Sequence, residues 1–445
     1  MKHPTTTALE TSSAALQDIL EELYTLRRFH ATPGLHRIRS ILYKLGNPHK
    51  RFPSIHIAGT NGKGTVSSIL ASVLREAGYK VGLYTSPHII RFNERIRLNG
   101  QEIPDDILLA TIRHTMPLIL STHATFFEAA TALALYYFAE NNVDIAVIET
   151  GLGGRLDATN VLEAENVLAT AITSIDYDHT EYLGDTLEQI AAEKAGIMKH
   201  SNPCIVAEPR SSLRSTFEYH AQQAGALLHF LDEGYRVDVQ SYTADCTMRL
   251  TLHTPHRTIR SLHSRLCGSH QARNILTAYA VLDYIHRDFP TSTTQFRHGL
   301  ERLYKNSGLR GRIELLRKRP PCILDVAHNP AGVRMLIQTL RNCGYTDTRW
   351  HVVFAAMQDK QVHEMLRALQ PIVQRLHIPT LNLARALQPT AISHMASSLN
   401  IPTTIYDSAA DACDALVSSN DPLLVVGSFH LAEEVLQWYA CSKKD

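Results

Sequence analysis

One glycine-rich segment, Ala-Gly-Thr-Asn-Gly-Lys-Gly-Thr at residues 58–65, constrains the fold of this chain more than any other stretch. It follows a short apolar run at residues 54–57, which predicts a strand, and it precedes residues 66–74, which predict a helix. A strand, a glycine-rich turn and a helix N-terminus together hold phosphate, because free backbone N–H groups and the helix dipole point at the anion. The segment therefore predicts a nucleotide-binding loop at the end of a buried strand.

Two side chains of this segment add to the prediction. Lys63 brings a positive charge, and the Thr65 hydroxyl is placed to reach a magnesium ion. The segment departs from the general G-x-x-x-x-G-K-[ST] pattern, because position 57 is Ile and Gly64 separates the lysine from the threonine. A glycine-rich turn with an exposed lysine is the alternative. Since both flanks fit, we expect ATP to be bound by Gly59, Thr60, Asn61, Gly62, Lys63, Gly64 and Thr65.

Composition limits the other classes of protein. With 44 basic against 43 acidic residues, nothing predicts electrostatic capture of nucleic acid or of a membrane surface. No apolar stretch approaches the ~20 residues of a membrane span, and the N-terminus lacks the apolar segment of a signal peptide. The seven cysteines contain no C-x-x-C pair, which favours reduced thiols over disulfides or a zinc site. We therefore expect a cytoplasmic protein, a monomer, that binds neither nucleic acid nor membrane.

The order of apolar runs predicts an α/β fold. Runs at residues 81–84, 144–148 and 168–173 alternate with helical patterns, which is typical of a parallel sheet covered on both faces. Ligands bind at the carboxyl ends of such strands. Residues 235–239 and 248–252 alternate instead, as the strands of an antiparallel hairpin do. The fold class predicted is a P-loop-type, mostly parallel ATPase sheet.

A chain of 445 residues is expected to form two domains, each with its own core. Small polar residues follow a helical pattern near Ser307, and the alternation of apolar runs and helices starts again after them. We predict an ATP-binding domain at residues 1–305 and a second, smaller, Rossmann-like α/β domain at residues 306–445. An amphipathic helix at residues 16–23 is expected to pack on the first domain.

Seven further motifs run in order along the chain. They are Tyr-Thr-Ser-Pro-His at 84–88, Thr-Phe-Phe-Glu at 125–128, Glu-Thr-Gly-Leu-Gly-Gly-Arg-Leu-Asp-Ala-Thr-Asn at 149–160, Asp-His-Thr at 178–180, Glu-Lys-Ala-Gly at 193–196, Asp-Val-Ala-His-Asn-Pro at 325–330 and Gly-Ser-Phe-His at 427–430. With the glycine-rich loop, they resemble the Mur ligase superfamily, and in particular its folate branch, the folylpolyglutamate synthases and dihydrofolate synthases. The ordered set is far more specific than any single motif.

The strand ends also predict a metal site. Glu149 ends an apolar run, where nucleotide enzymes place a magnesium carboxylate, although a solvated acid is the alternative. Ser86 and His179 end strands at the same predicted edge, and a capping or core histidine is the alternative for His179. The resemblance implies two Mg²⁺ ions, with Thr65, Ser86, Glu149, His179 and Lys194 as the metal-binding residues.

Lys194 has no special role on its residues alone, because a lysine in a last helical turn is ordinarily a favourable dipole contact. The resemblance implies that it is carbamylated. Carbon dioxide converts the amine into a carboxylate-like ligand, which requires the neutral amine and hence a lowered pKa.

The resemblance also implies the substrate-binding residues. Asn274, Arg312 and Asp325 would bind ATP from across the cleft, and Asp325 ends a predicted strand of its own. An aromatic helix start at Phe126 and Phe127 offers stacking for a pterin ring, although packing within a helix is the alternative. The implied pterin residues are Pro33, Gly34, Leu35, Thr125, Phe126, Phe127, Glu128, Arg155, Leu156 and Asp157. The implied glutamate residues are Arg95, His328 and Ser428, and the implied catalytic residues are Lys63, Lys194 and His328.

The resemblance thus implies an ATP-dependent ligase that adds L-glutamate to dihydropteroate and to reduced folates through an acyl phosphate. A folylpolyglutamate synthase alone, or a peptidoglycan-precursor ligase of the same superfamily, is the alternative within the class. A nucleotide-dependent switch is the alternative from another class. Glu149 with His179 and Lys194 favours chemistry over a switch, and the motifs at 125–128 and 151–157 argue against the peptidoglycan branch.

Overall fold

The computed structural model describes residues 6–26, 34–417 and 419–442, with side chains from residue 14 onward. The chain divides into two compact units. Unit 1 comprises Met1–Tyr235 and Thr277–Gly308, and unit 2 comprises Arg236–Leu276 and Leu309–Asp445. The predicted domains of residues 1–305 and 306–445 stay a prediction, to which the structure adds that residues 236–276 group with the later part of the chain.

Unit 1 contains a sheet in which the described residues form eight strands. The strands are β1 Ser54–Ala58, β2 Val81–Tyr84, β3 Ile96–Leu98, β4 Gln101–Glu102, β5 Ile145–Glu149, β6 Val167–Ile172, β7 Pro203–Val206 and β8 Leu227–Phe230. Their order is β4-β3-β2-β5-β1-β6-β7-β8, and every pair from β2 to β8 is parallel. The mostly parallel α/β sheet that the apolar runs predicted is therefore confirmed, with β3 and β4 added as an antiparallel edge.

Helices pack on this sheet or on the helices that cover it. They are α1 Thr6–Thr25, α2 His36–Lys44, α3 Lys63–Glu76, α4 Asp105–Ser121, α5 Phe126–Glu140, α6 Thr180–Leu183, α7 Leu187–Ala195 and α8 Arg214–Ala224, with α10 Thr293–Glu301 and α11 Leu303–Ser307 packed on α3. The helix α9 Ser269–Tyr284 begins in unit 2 and ends in unit 1. Residues of α1, α2, α4 and α5 share one core with Tyr84 and Ile148, and residues of α7 and α8 share another with Ile172 and Val206. The α1 side chains in this core include Leu16, Leu20 and Leu23, which confirms the predicted amphipathic helix. No helix among the described residues is both long and apolar enough to cross a membrane.

Local sequence explains where the site helices begin. The helix α3 starts at Lys63, three residues before its predicted start, because Gly62 adopts a left-handed conformation (φ +95°) that turns the chain into the helix. The helix α5 starts with a capping box, in which Thr125 and Glu128 each bond the other's backbone N–H. These local features determine the residue at which each helix begins.

Unit 2 contains two sheets. The first is antiparallel, in the order β11-β10-β9, with β9 Arg236–Tyr242, β10 Met248–His253 and β11 Thr258–Ser264. The predicted hairpin is thus confirmed, and β11 extends it. The second has the order β12-β13-β17-β14-β15-β16 and is parallel except at β12. Its strands are β12 Glu314–Lys318, β13 Pro321–Leu324, β14 Trp350–Phe354, β15 Val373–Pro379, β16 Thr403–Tyr406 and β17 Leu423–Val426, and the helices of this unit are α12 Pro330–Asn342, α13 Val362–Leu369, α14 Pro389–Ser398, α15 Ala409–Val417 and α16 Phe429–Cys441.

A test of the fold is available at Gly59, directly after β1. Its φ is +145°, and a Cβ added there would lie 1.8 Å from the Thr173 hydroxyl oxygen. We expect Gly59→Ala to lower the free energy of unfolding by ~2 kcal/mol or more, because overpacking adds to backbone strain. Gly78→Ala is the matched control, since its φ is +95° and nothing lies within 4 Å of an added Cβ. Urea unfolding measures both, and equal losses would contradict the steric prediction.

Candidate functional site

Four parallel strands of unit 1 end side by side, and each is followed by residues that the sequence singled out. Strand β2 is followed by Ser86, and its neighbour β5 ends at Glu149. The next strand, β1, is followed by the phosphate loop at residues 59–62, and β6 by the segment at residues 173–179. Because the strands are parallel, their carboxyl ends lie at one edge of the sheet. The structure thus brings the predicted phosphate and metal residues of unit 1 to this edge.

In the first turn of α3, directly after the phosphate loop, Lys63 and Thr65 differ in their hydrogen bonding. The Lys63 ammonium donates hydrogen bonds to the Gly59 carbonyl at 3.0 Å and to the Thr60 carbonyl at 3.3 Å. Thr65 is 1% exposed, and its hydroxyl has no hydrogen-bond partner among the described residues. Buried hydroxyls are normally paired, so this oxygen fits a ligand or an ion at the N-terminus of α3.

The segment after β6 holds the phosphate loop in shape. The Thr60 hydroxyl donates to the Asp176 carbonyl at 3.2 Å and accepts from the Asp176 N–H at 3.0 Å. The hydroxyls of Thr173 and Ser174 donate to the Asn61 carbonyl, at 2.8 and 3.2 Å. Thr173, Ser174 and Asp176 were not predicted to belong to the site. The one signal for them was their position, directly after an apolar run that ends at the same sheet edge.

Two of the predicted metal ligands have contrasting surroundings. Glu149 is 3% exposed, and its Oε2 accepts from the backbone N–H of Ser86 at 3.1 Å. A carboxylate oxygen such as that of Glu149 is the donor type that Mg²⁺ prefers. The His179 side chain is partly exposed, with its Nε2 3.9 Å from a carboxylate oxygen of Asp178. Metal binding by these residues stays a prediction.

Lys194 is buried, with 3% of its surface exposed. Burial and, to a lesser extent, the positive charge of Lys63 lower its pKa from 10.5 to about 7, although the carboxylates of Asp178, Asp157 and Glu193 act in the opposite direction. A substantial neutral fraction near pH 7 is the form that reacts with carbon dioxide. The surroundings fit a carbamate, and the modification itself stays a prediction.

The predicted pterin residues at 125–128 are first of all the start of α5. The Glu128 carboxylate accepts from the Thr125 N–H at 2.7 Å and from the Arg37 guanidinium at 2.9 Å. Both partners of this ion pair are nearly buried. Arg37 was not predicted to belong to the site, because its partner Glu128 lies 91 residues away in the sequence and no local pattern links the two.

The aromatic ring of Phe126 lies in a cluster with a cation. Its centroid is 5.3 Å from the Tyr24 ring, 6.0 Å from the Phe92 ring and 5.3 Å from Cζ of Arg95. Arg95 is buried, which lowers its pKa, and its Nε donates to Nδ1 of His88 at 2.7 Å. The structure therefore places Arg95, predicted to bind glutamate, beside Phe126, predicted to bind the pterin. Both assignments stay predictions.

We call residues 151–157 the glycine loop. Asp157 closes it, because its Oδ2 accepts from the N–H groups of Gly151 at 2.9 Å and Leu152 at 2.8 Å, and its Oδ1 accepts from the Thr159 N–H at 3.0 Å. Burial raises the pKa of Asp157, and these hydrogen bonds oppose that shift. Asp157 thus shapes the loop, while Leu156 remains exposed.

The other side of the glycine loop rests on α7. A Cβ added at Gly154 would lie 2.7 Å from the Glu193 carbonyl, so only glycine permits this approach. Arg155 bonds Glu193 twice, through its backbone N–H to the carbonyl at 2.8 Å and through its guanidinium to the carboxylate at 2.7 Å. Phe127 also packs against the loop, since a Cβ at Gly151 would lie 2.3 Å from its ring. The loop is therefore joined to the helix that contains Lys194.

The predicted N-terminal pterin segment is described only in part. Pro33 lies outside the described residues. Gly34 and Leu35 immediately precede α2, and Leu35 packs partly against the core of unit 1. Their assignment to the pterin stays a prediction.

In unit 2, Asp325 follows β13 and organises the turn after it. Its two oxygens accept from the N–H groups of Ile313 and Ala327, both at 2.8 Å. Burial raises its pKa, and the charge of Arg312 opposes that shift. The Arg312 guanidinium lies 5.7 Å from the Phe429 ring. The structure thus brings two of the predicted ATP residues together, while the Asn274 amide donates to Gln271 at 3.0 Å on α9.

The remaining predicted residues of unit 2 follow the adjacent strand. Ser428 comes after β17, which pairs with β13, and its hydroxyl caps α16 by accepting from the Leu431 N–H at 3.1 Å. His328 Nδ1 lies 3.0 Å from the Val326 carbonyl, so this nitrogen bears the proton. The His328 ring lies 5.5 Å from that of Phe429. His328 and Ser428 therefore follow neighbouring strand ends, and their assignment to the glutamate stays a prediction.

Comparison with known families defines the class of protein. The model of the Mur ligase middle domain matches residues 57–282, and that of the Mur ligase glutamate ligase domain matches residues 311–429. These matches describe an ATP-dependent ligase of the Mur type. They agree with the parallel sheet, the phosphate loop and the polar strand ends described above.

Individual relatives narrow the class. The chain is 33% identical over 431 residues to the dihydrofolate synthase/folylpolyglutamate synthase of Bacillus subtilis (strain 168), covering 95% of this chain and 98% of that protein. The solved structure of E. coli FolC in complex with DHPP and ADP superposes with a TM-score of 0.84 at 31% identity, covering 97% and 99% of the two chains. The solved structure of a bifunctional folylpolyglutamate synthase/dihydrofolate synthase with Mn, AMPPNP and L-glutamate bound superposes with a TM-score of 0.82 at 29% identity. The match covers 96% of this chain and 98% of that one. The chain belongs to the dihydrofolate synthase/folylpolyglutamate synthase family, which confirms the resemblance inferred from the motifs.

The pKa of Lys194 leads to a prediction about stability. Its folded-state pKa of about 7 lies below the ordinary 10.5, so the unfolded chain binds more protons between those pH values. The contribution of Lys194 to the free energy of unfolding should therefore rise with pH across that window, by at most ~1.4 kcal/mol per pH unit. Lys194→Met removes this titration.

Urea unfolding in buffer free of carbon dioxide measures the effect. The difference in free energy of unfolding between Lys194→Met and the unsubstituted chain should change between pH 7 and 10, in favour of the unsubstituted chain as pH rises. Lys44→Met, at an exposed lysine in the last turn of α2, is the control and should show a constant difference. A constant difference at Lys194 as well would contradict the lowered pKa.

Proposed function

We propose that this chain is an ATP-dependent ligase that joins L-glutamate to dihydropteroate, forming dihydrofolate, and to reduced folates, forming folylpolyglutamates. The observation that supports it most is the phosphate loop at the same sheet edge as the buried Glu149, with the buried Thr65 hydroxyl, which has no hydrogen-bond partner in the part of the chain that the structure describes. Several relatives of this chain are named for both activities, and solved complexes of similar proteins contain DHPP, ADP and L-glutamate.

The phosphate loop binds ATP in this proposal. The N–H groups of residues 59–65 and the N-terminus of α3 surround the phosphates, and the Lys63 ammonium exchanges its loop carbonyls for phosphate oxygens. Asn274, Arg312 and Asp325 of unit 2 bind the nucleotide as the family resemblance implies. Mg²⁺, when bound, neutralises charge on the transferring phosphoryl group. Its proposed ligands are Thr65, Ser86, Glu149 and His179, with carbamylated Lys194 supporting the second ion.

The reaction proceeds in two steps. A carboxylate oxygen of the pterin substrate attacks the γ-phosphorus of ATP, which forms an acyl phosphate and releases ADP. The amine of L-glutamate then attacks the acyl carbon, the C–O bond to phosphate breaks, and an amide and inorganic phosphate result. Lys63 and the loop N–H groups stabilise the charge that develops on the phosphoryl oxygens, so catalysis rests on positioning and electrostatics.

The two organic substrates are assigned to side chains of matching chemistry. The ring of Phe126 stacks on the pterin, and the carboxylates of Glu128 and Asp157 face its N–H edge. Arg95, His328 and Ser428 bind the glutamate, with His328 also acting in catalysis. Closure around the acyl phosphate excludes water, because hydrolysis would release the activated substrate.

An assay with each pterin substrate tests the proposal. Purified protein with ATP, Mg²⁺ and L-glutamate should form ADP and phosphate with dihydropteroate and also with tetrahydrofolate, and both rates should depend on glutamate. Lys63→Ala should lose both activities without loss of the fold, because Lys63 bonds only loop carbonyls among the interactions described above.

The other outcomes identify the alternatives. Turnover of tetrahydrofolate alone would leave a folylpolyglutamate synthase and refute the dual activity. Turnover of peptidoglycan precursors, with neither pterin accepted, would place the chain in the other branch of the superfamily. Slow ATP hydrolysis independent of all acceptors would support a nucleotide-dependent switch.

The carbamate on Lys194 has its own test. Lys194→Ala should lose ~10²-fold or more in turnover, equivalent to ~3 kcal/mol, because an anionic ligand is removed. Added formate or acetate should restore part of the rate, and the unsubstituted enzyme should lose activity when carbon dioxide is depleted. Lys44→Ala is the control and should remain active. Full activity of Lys194→Ala would reduce this lysine to a helix-dipole contact worth ~0.3–1 kcal/mol of stability.

A further inference from the structure

His56 is a buried polar residue to which the proposed reaction gives no role. It lies in the middle of β1, pairs with Ile148 and Thr170 on the two neighbouring strands, and has 0% of its surface exposed. Burial lowers its pKa well below the ordinary value, so the ring is neutral. A neutral histidine buried between Ile55 and Ile57 requires an explanation, because apolar residues fill such positions at lower cost.

The hydrogen bonds of His56 define its tautomer. Its Nε2 lies 2.7 Å from the Thr159 hydroxyl oxygen, and that hydroxyl is also bonded to Oδ1 of Asp157. An ionised carboxylate only accepts, so the hydroxyl uses its one proton toward Asp157 and accepts from His56. The Nδ1 of His56 has no partner among the described residues, and an unpaired acceptor costs less there than an unpaired N–H. The ring therefore has its proton on Nε2.

In this arrangement Asp157 accepts hydrogen bonds from four donors. They are the Thr159 hydroxyl and the N–H groups of Thr159, Gly151 and Leu152. Gly151 follows two residues after Glu149, and Asp157 ends the glycine loop. The relay from His56 through Thr159 to Asp157 thus reaches the segment that joins the predicted metal carboxylate to the predicted pterin residues.

The rest of the glycine loop is held from a different side. Arg155 bonds Glu193 of α7, and the Asn160 amide donates to the carbonyls of Arg155 and Gly196, both at 3.0 Å. Those contacts hold the glycine loop at Arg155. The end at Asp157 depends on Thr159, and the hydroxyl of Thr159 is oriented by His56 from within the sheet.

We propose that His56 is a positioning residue for the pterin substrate, because its Nε2–H orients the Thr159 hydroxyl and so holds Asp157 and the glycine loop in the shape that receives the pterin ring. The inference rests on the proposed function and deepens it. His56 itself touches no substrate. Its effect should therefore appear in the affinity for the pterin substrate and leave the affinity for ATP unchanged.

Steady-state kinetics of two His56 variants test this inference. His56→Met keeps an apolar side chain of related size and removes the donor, and we expect the KM for dihydropteroate to rise about tenfold or more, within the range of one lost buried hydrogen bond. His56→Gln retains an N–H donor near the position of Nε2 and should restore that KM to within about threefold. The KM for ATP should stay within about twofold in both. Ser54→Ala is the matched control, since it removes a buried hydroxyl on the same strand that donates to the Asn166 carbonyl, and both KM values should stay unchanged.

Variants of Thr159 supply a second measurement. Thr159→Val keeps the shape and removes the hydroxyl, so it should raise the same KM, and His56→Met should add little to it in the double variant. Thr159→Ser retains the hydroxyl and should behave normally. Nitrogen-15 spectra of the histidines should show His56 neutral, with its proton on Nε2, whether or not any substrate is turned over.

The outcomes separate this inference from the proposed function. Turnover of dihydropteroate by the unsubstituted enzyme, with unchanged KM in His56→Met, overturns the role of His56 alone. Equal rises in the KM for ATP and for dihydropteroate, or unfolding of both the His56→Met and Thr159→Val variants, would mean that the relay supports the fold rather than the substrate, and would also overturn it. Absence of any pterin turnover overturns the proposed function, and the spectra then still decide whether the relay exists.

Discussion

The shape of the phosphate loop depends on the segment that follows the neighbouring strand β6. The loop and this segment are joined by hydroxyl–backbone hydrogen bonds through Thr60, Thr173 and Ser174, and the absence of a side chain at Gly59 lets Thr173 approach closely. These bonds are made within the chain, so they hold the loop before α3 in one shape. A loop that is already held in shape loses less conformational entropy when it binds a ligand.

Two lysines of unit 1 have pKa values that burial lowers. The charge of Lys63 is one cause of the lowered pKa of Lys194, second to burial. Lys199 donates a hydrogen bond to the Asn160 amide oxygen, and its pKa is lowered to about 8 by burial and by the charge of Arg39. A buried ammonium is costly without an anion, so Lys194 reduces that cost by losing a proton. Conversion to a carbamate would go further, because it turns a repulsive neighbour of Lys63 into an attractive one.

Much of this architecture could be predicted because the signals are local. Strand β2 matches its predicted bounds of residues 81–84, since a short apolar run between polar residues admits few alternatives. The start of α3 was misplaced by three residues, because the left-handed Gly62 lets the helix begin inside the glycine-rich turn. The strand β11 was not predicted, since a register shift separates its buried Ile259 and Leu262 by three residues, which breaks the alternation that identified its neighbours.

The interior of the candidate site was less predictable, for a physical reason. Periodicity reports which face of an element is buried, but it does not report which partner lies opposite. The Arg37–Glu128 ion pair joins residues 91 positions apart, and the His56–Thr159 hydrogen bond joins residues 103 positions apart. Each pairing follows from the order of strands and helices, so it becomes visible only when the fold is known.

Two aspartates, one that closes the glycine loop and one directly after β13, show why such motifs have the residues they do. Asp157 in unit 1 and Asp325 in unit 2 each accept backbone N–H groups on both carboxylate oxygens, and burial raises the pKa of both. An asparagine would present an NH₂ group to one set of donors, so the backbone of each turn already requires a carboxylate. A variant at either position therefore alters the loop before it alters any ligand contact. For that reason, the affinity for each substrate has to be measured separately from the turnover number, since only the pattern across substrates distinguishes a residue that shapes a loop from one that touches the ligand.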